Sequence, residues 1–207
     1  MALVHFTGAV LTGGASTRMG QDKALIEIDG VELTSIVATA LHKAGAREVL
    51  SVGGDVATLS SLTGVTRSLP DDNPGEGPLA GILTAMRYSV DDLIVVLACD
   101  TPAITSATPA ALIEALLCEP SAGVAFAEVD GRAQPLTAAW RISCSWEFVS
   151  EAFAAGERAP RKVFTGLQAL AVTEVPASAV DDVDRPADLR RYASEYFQLP
   201  TPNEDSR

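Results

Sequence analysis

Gly8-Ala9-Val10-Leu11-Thr12-Gly13-Gly14-Ala15-Ser16-Thr17-Arg18-Met19-Gly20-Gln21-Asp22-Lys23-Ala24 carries a compact apolar run into a glycine pair and then to two cations. Gly8 to Thr12 reads as a buried strand, and Gly13-Gly14 as the sharp turn that ends it. Glycines in that position let backbone N–H groups come close to a phosphate with no Cβ in the way. Arg18 adds a planar fork for phosphate oxygens, and Lys23 a mobile point charge. The same residues also suit a plain strand end with two solvated cations, so residue chemistry alone leaves both readings open. The spacing excludes a P-loop, because Gly20 is followed by Gln21-Asp22-Lys23, and it lacks the G-x-G-x-x-G dinucleotide fingerprint.

Outward from this stretch, short apolar runs alternate with helical patterns, which predicts an α/β fold with a mostly parallel sheet covered by helices. Leu33 to Ala44 has helical spacing and stops at Gly45, and Glu48 to Val52 reads as the second strand. Leu79 to Tyr88 is helical with Pro78 in its first position, and Leu93 to Cys99 is the clearest buried strand. Ala107 to Leu117 reads as a helix, and Val124 to Val129 and Leu136 to Trp140 as strands flanking an Asp130-Gly131 turn. Helical stretches are expected over Glu147 to Ala155 and Arg161 to Leu170, a last strand over Ala171 to Val175, and a terminal helix over Pro186 to Tyr196. With no repeat or linker, residues 1–197 read as one domain, and residues 198–207 as a flexible C-terminal tail.

Three further segments carry acidic groups. Cys99-Asp100-Thr101-Pro102 follows the clearest strand, where a carboxylate suits either metal binding in a ligand crevice or the capping of the next helix. Leu69 to Gly81 joins Asp71 and Asp72 to a Gly/Pro loop. It suits a nucleotide base or sugar, with Asp71 accepting hydrogen bonds, and equally an exposed turn. In Asp181-Asp182-Val183-Asp184-Arg185-Pro186, an extended backbone puts Asp182 and Asp184 on one side; metal binding and helix capping both remain open.

Composition narrows the function classes. A hydrophobic fraction of 47% supplies a core, and no apolar run approaches the roughly 20 residues needed to span a bilayer. The N-terminus has no signal-peptide pattern, and Cys99, Cys118 and Cys144 are odd in number and widely spaced. A cytoplasmic protein with reduced thiols is expected, with no membrane partner. A net charge of −12 without a Lys/Arg run argues against a nucleic-acid partner, while a few focused cations still suit a small anionic ligand. His5 and His42 lie outside every motif.

In order along the chain, Leu11 to Lys23, Gly77-Pro78-Leu79-Ala80-Gly81, Cys99-Asp100-Thr101-Pro102, Gln134-Pro135-Leu136 and Asp182 to Leu189 resemble the molybdenum-cofactor guanylyltransferase family, within the Rossmann-like nucleotidyltransferases. The resemblance implies a three-layer α/β/α fold and Mg²⁺-dependent transfer of GMP from GTP to molybdenum-bearing molybdopterin, with molybdenum-cofactor assembly proteins as partners. It implies nucleotide binding by Leu11, Thr12, Gly13, Lys23 and Asp71, and a shared nucleotide- and metal-binding role for Asp100. Arg18, Lys23 and Asp100 carry catalysis in this reading, and Asp182 and Asp184 join Asp100 at the metal. Three departures stand out. Asp182-Val183-Asp184 replaces the family's frequent Asn-Val-Asn and is similar to a pattern of the cytidylyl branch. Thr12 replaces a small alanine. No polar residue after the second strand can be assigned among Ser51, Val52 and Gly53. The alternatives are a cytidylyltransferase or sugar-phosphate nucleotidyltransferase of the same fold, and a non-catalytic nucleotide-binding module.

Overall fold

The computed structural model describes residues 4–13, 22–184, 188–189 and 191–192. Its strands are β1 (Thr7–Leu11), β2 (Glu27–Ile28), β3 (Val31–Glu32), β4 (Glu48–Val52), β5 (Arg67–Leu69), β6 (Leu93–Ala98), β7 (Val124–Val129), β8 (Arg132–Arg141) and β9 (Ala169–Val172). Its helices are α1 (Leu33–Lys43), α2 (Val56–Leu59), α3 (Pro78–Tyr88), α4 (Ala107–Cys118), α5 (Ile142–Ala154) and α6 (Pro160–Val163). Seven strands form one sheet in the order β5-β4-β1-β6-β8-β7-β9, and β2 and β3 make a separate small hairpin. Only β8 runs against the rest: it is antiparallel to β6 and β7, whereas the other neighbouring pairs are parallel.

Alternation along the strands divides the core in two. Val10, Val49, Val95 and Leu97 face α1, α2 and α4, while Ala9, Leu50, Val96 and Trp140 face α3, α5 and α6. The result is the expected three-layer α/β/α sandwich, with the central strands buried on both faces. Among the described residues, no helix is long and apolar enough to cross a membrane.

Several elements differ from what local pattern predicts, each for a tertiary reason. The helix expected over Arg161 to Leu170 ends early: α6 is one turn, a 3₁₀ turn covers Phe164–Gly166, and β9 begins at Ala169. Ala169 packs toward one core and Leu170 toward the other, as a strand beside β7 requires. The last strand therefore starts earlier than Ala171 and ends at Val172. Helix α5 starts at Ile142 rather than Glu147, because Asp92 receives its first turn from 51 residues away. The Ser143 N–H donates to Asp92 Oδ1 at 2.8 Å, and the Ile142 N–H to the Asp92 carbonyl at 2.8 Å. Strand β8 extends back through Pro135, which a regular ladder would not tolerate. Phe126 pairs with Ala138 and Ala127 with Gln134, so Pro135–Thr137 bulge away from β7. Of the expected helix Pro186 to Tyr196, residues 188–189 and 191–192 are described and helical. The expected tail, 198–207, lies outside the described residues.

The carboxyl ends of β1 and β4 are bound tightly together. The Thr12 and Gly13 N–H groups both donate to the Val52 carbonyl, at 2.9 and 3.2 Å. The Thr12 hydroxyl shares its proton between the carbonyls of Val52 and Gly53, at 3.0 and 2.9 Å. Gly53 has φ +88, and a Cβ there would lie 2.7 Å from Gly13 Cα and 2.8 Å from Gly13 N. Gly53→Ala is therefore expected to cost about 2 kcal/mol or more, from backbone strain plus a clash with main chain. The measurement is the urea midpoint at unchanged slope. Gly131→Ala is the control, because Gly131 has φ +70 but nothing within 4 Å of the added Cβ. Its expected loss is about 1 kcal/mol, and equal losses at the two positions would refute a tight crossing.

Candidate active site at the carboxyl edge of the sheet

From β1 the chain moves outward to β4 and β5, then returns across to β6 on the other flank of β1. Leu11 and Ala98 are partners at the carboxyl end of this central pair, and the Cys99 N–H donates to the Leu11 carbonyl at 3.3 Å. A doubly wound sheet opens its ligand crevice at such a switch point, where neighbouring connections leave in opposite directions. Asp100 stands at the end of β6 beside it. The segment Gln134-Pro135-Leu136, which runs into the bulge, lies at the same edge, since the adjoining Thr137 pairs with Leu97 near the end of β6.

Lys23 reaches this edge from a short 3₁₀ turn, Lys23–Leu25. Asp22 caps that turn by accepting the Ala24 N–H at 3.0 Å, and the buried Thr34 hydroxyl holds the Ala24 carbonyl at 2.8 Å. The Lys23 ammonium lies 3.1 Å from Asp100 Oδ2 and also donates to Asp184 Oδ1. Asp184 arrives from 161 residues away along the chain. It is brought in by Val183, which is fully buried with Ile26, Ile28, Leu33 and Tyr192 and whose N–H donates to the Asp100 carbonyl at 2.9 Å. With Val183 turned into the core, Asp182 and Asp184 turn the other way. One carboxylate oxygen from each of Asp100, Asp182 and Asp184 lies within 4.8 Å of the others.

The electrostatics follow from this crowding. Together with Lys23, the three carboxylates carry two more negative than positive charges when all are ionised. Partial desolvation, and then the neighbouring Asp184 and Asp100, push the Asp182 carboxyl above its usual range. Burial pulls the Lys23 ammonium down, but its hydrogen bonds and charge contacts with Asp184 and Asp100 outweigh that, and its net position is raised. Burial, followed by the charges of Asp100 and Asp22, pushes the Cys99 thiol up to about 12, which removes it as a nucleophile. Oxygen-only donors with excess negative charge suit a hard divalent cation.

The remaining sequence candidates divide. Asp71 lies just beyond β5 at the same edge, where the Gly53 N–H donates to the Leu69 carbonyl at 2.9 Å. Thr12 and Gly13 are present, but their N–H groups are turned to Val52 within the fold, so these two donors do not face a phosphate. Leu11 is buried beneath the edge. Arg18 and Gly14 belong to the segment 14–21, outside the described residues. Two contributors were not singled out by residue pattern. Asp22 sits unremarked within the opening motif although it aims Lys23, and Gly53 is the residue whose missing Cβ admits Gly13. The pair Gly53-Gly54 after an apolar run was the one available signal for the latter. A concavity of about 480 Å³ lies between the β2–β3 hairpin, α1 and residues 102–106, but none of the site carboxylates nor Lys23 lines it. The chemistry sits on an open edge beside that hollow.

Comparison with known proteins bears on this geometry. Residues 8–172 match the family model of the MobA-like NTP transferase domain. A probable molybdenum cofactor guanylyltransferase of Deinococcus radiodurans is 34% identical over 188 residues, covering 90% of this chain and 93% of that protein. A molybdenum cofactor guanylyltransferase of Serratia proteamaculans is 33% identical over 158 residues, covering 74% of this chain and 76% of that protein. Among solved structures, molybdopterin-guanine dinucleotide biosynthesis protein A from Archaeoglobus fulgidus has a TM-score of 0.73 at 22% identity, covering 91% of this chain and 97% of that one. The 2-C-methyl-D-erythritol 4-phosphate cytidylyltransferase of Thermus thermophilus has a TM-score of 0.68 at 17% identity, covering 90% and 97%. At such identities the structural likeness establishes the fold and does not choose between nucleotides. The family match, spanning the sheet from β1 to β9, establishes more: this chain belongs to the MobA-like NTP transferases.

Proposed function

We propose that the protein transfers GMP from GTP to molybdenum-bearing molybdopterin and releases pyrophosphate. The observation that carries the reading is the meeting of Lys23, Asp100, Asp182 and Asp184 at the switch point of a MobA-like chain. The guanylyltransferase relatives supply the substrates. In this reading the terminal phosphate of molybdopterin attacks the α-phosphorus of GTP, a new P–O bond forms there, and the bond to the β-phosphate breaks. The nucleophile is already an anion, so no side chain needs to remove a proton from it. Alignment and neutralisation of charge are what the protein has to provide.

Asp100, Asp182 and Asp184 are the residues that would hold Mg²⁺, and their oxygen donors and excess charge fit that ion. When bound, the ion neutralises charge on triphosphate oxygens. Lys23, aimed by the Asp22 cap, supplies a positive charge beside the same carboxylates, and Arg18 joins it on the leaving pyrophosphate. Asp71 completes the nucleotide side, and Leu11, Thr12 and Gly13 form the backbone that borders it, the N–H groups of Thr12 and Gly13 and the Thr12 hydroxyl being held by β4. Molybdenum-cofactor assembly proteins are the proposed partners and the cytoplasm the proposed setting, in one domain over residues 1–197.

Pyrophosphate release with molybdenum-loaded molybdopterin and Mg²⁺, comparing GTP with CTP, tests this. A strong GTP preference is expected. A CTP preference would move the protein to the cytidylyl branch, which the Asp182-Val183-Asp184 pattern resembles, and turnover of neither would refute the proposed reaction. Asp100→Asn is expected to lower kcat on the order of 10²–10³-fold, the scale of losing one group that stabilises transition-state charge, with unchanged circular dichroism. Normal turnover by that variant would remove Asp100 from the mechanism.

Lys23→Ala should act in two directions. It is expected to raise the KM for GTP, yet to tighten Mn²⁺ binding without nucleotide about fivefold, because an ammonium ion-paired with two of the carboxylates is gone. Electron paramagnetic resonance of free Mn²⁺ reads the second effect. Weaker Mn²⁺ binding would show that Lys23 does not compete with a cation for these carboxylates.

A further inference from the structure

A threonine inside α3 is hydrogen-bonded to the turn at the far end of the same edge. Thr84 is 1% exposed and is flanked along the helix by buried Leu83 and Ala85. A buried helical threonine ordinarily returns its proton to a carbonyl one turn back. Here the hydroxyl leaves the helix instead. It donates to Asp71 Oδ1 at 3.1 Å, and its oxygen accepts the Asp72 N–H, also at 3.1 Å. Asp71 Oδ1 takes a second hydrogen bond from the Asn73 N–H at 3.0 Å. Arg87 and Tyr88, three and four positions further along the helix and so on the same face, hold the Asp72 carboxylate at 3.2 and 3.4 Å.

The consequence is an oriented carboxylate. Two donors occupy Oδ1, and among the described residues Oδ2 has no hydrogen-bond partner. Asp71 follows β5, while Asp100 follows β6, and β5 and β6 are three strand steps apart across β4 and β1. At the usual strand spacing this is about 14 Å, the reach of a nucleoside triphosphate from base to γ-phosphate. A nucleotide with its phosphates beside Lys23 and Asp100 would have the length to bring its base and ribose to Asp71.

We infer that Thr84 is a positioning residue: it turns Asp71 so that Oδ2 accepts N–H or O–H donors from the base or ribose of the bound nucleotide. The inference rests on the reading of Asp71 as nucleotide-binding. Thr84 touches no substrate; it acts through Asp71, both by its own bond to Oδ1 and by holding the Asp72 N–H of the same turn.

The test is a double-mutant cycle on the full chain, with kcat, the KM for GTP and the KM for molybdopterin determined for Thr84→Val, Thr84→Ser, Asp71→Ala and the double variant. Thr84→Val removes both bonds and is expected to raise the GTP KM about threefold to tenfold, the scale of losing the one that orients Asp71. It should leave the molybdopterin KM unchanged and kcat within about twofold of the parent. Thr84→Ser should restore the parent values, and the double variant should match Asp71→Ala. A purely structural role would lower the melting temperature and the active fraction without moving the GTP KM, and that result overturns the inference. So does a double variant whose loss equals the sum of the single losses. If Asp71→Ala itself leaves the GTP KM unchanged, the reading of Asp71 fails and the inference with it. Should Thr84→Val prove too unstable, Thr84→Cys keeps the side-chain volume with a weak donor, and the same outcomes decide the matter.

Discussion

Strand β1 is hydrogen-bonded on both flanks to its last residue, and the site depends on that constraint. On one side the Thr12 and Gly13 N–H groups and the Thr12 hydroxyl bind the end of β4. On the other the Leu11 carbonyl receives the Cys99 N–H at the end of β6. The chain leaving β1 and the chain leaving β6 thus start from fixed points on either side of the switch crevice. Asp100 directly follows the second of these points, and Lys23, set by the Asp22 cap and by Thr34 on the Ala24 carbonyl, meets it at 3.1 Å.

Charge then selects what the crevice accepts. The protein as a whole is strongly acidic, and its densest described carboxylate group surrounds one ammonium rather than solvent alone. Lys23 is stabilised in its charged form by its partners despite burial, and Asp182 is penalised in its charged form by burial and by its neighbours. Both groups are thus displaced upward: the crowded carboxylate charge acts on each, while burial works against it at Lys23 and with it at Asp182. In the proposed reaction, a divalent cation with attached phosphates would answer both, which would let an acidic protein take an anionic nucleotide.

The edge has a direction as well as a charge. Lys23 and its carboxylates collect around β1 and β6, and beyond β5 a turn docked against α3 carries Asp71, held by Thr84, and Asp72, paired with Arg87. Thr12 adds a hydroxyl bond between the loops of β1 and β4. Its side chain thereby stiffens the middle of the edge and is not itself presented to a ligand.

Much of this was legible in the residues alone. Apolar runs and glycine stops located β1, α1, β4, α3, β6 and the β7–β8 turn, because strand and helix periods and turn chemistry are local properties. The motifs holding Lys23 and Asp100 were legible too, since each is a short segment tied to one strand end. What tertiary structure decided were the partners. Asp184 meets Lys23 across 161 residues because Val183 is buried against β2 and α1, and no local pattern carries that distance. Helix α5 begins where Asp92 caps it, and β9 is a strand because β7 offers it an edge. No local pattern sets Thr84 apart from its neighbours in α3. Its role is set by the loop that folds onto it, since a hydroxyl's direction depends on whichever acceptor the fold brings within reach.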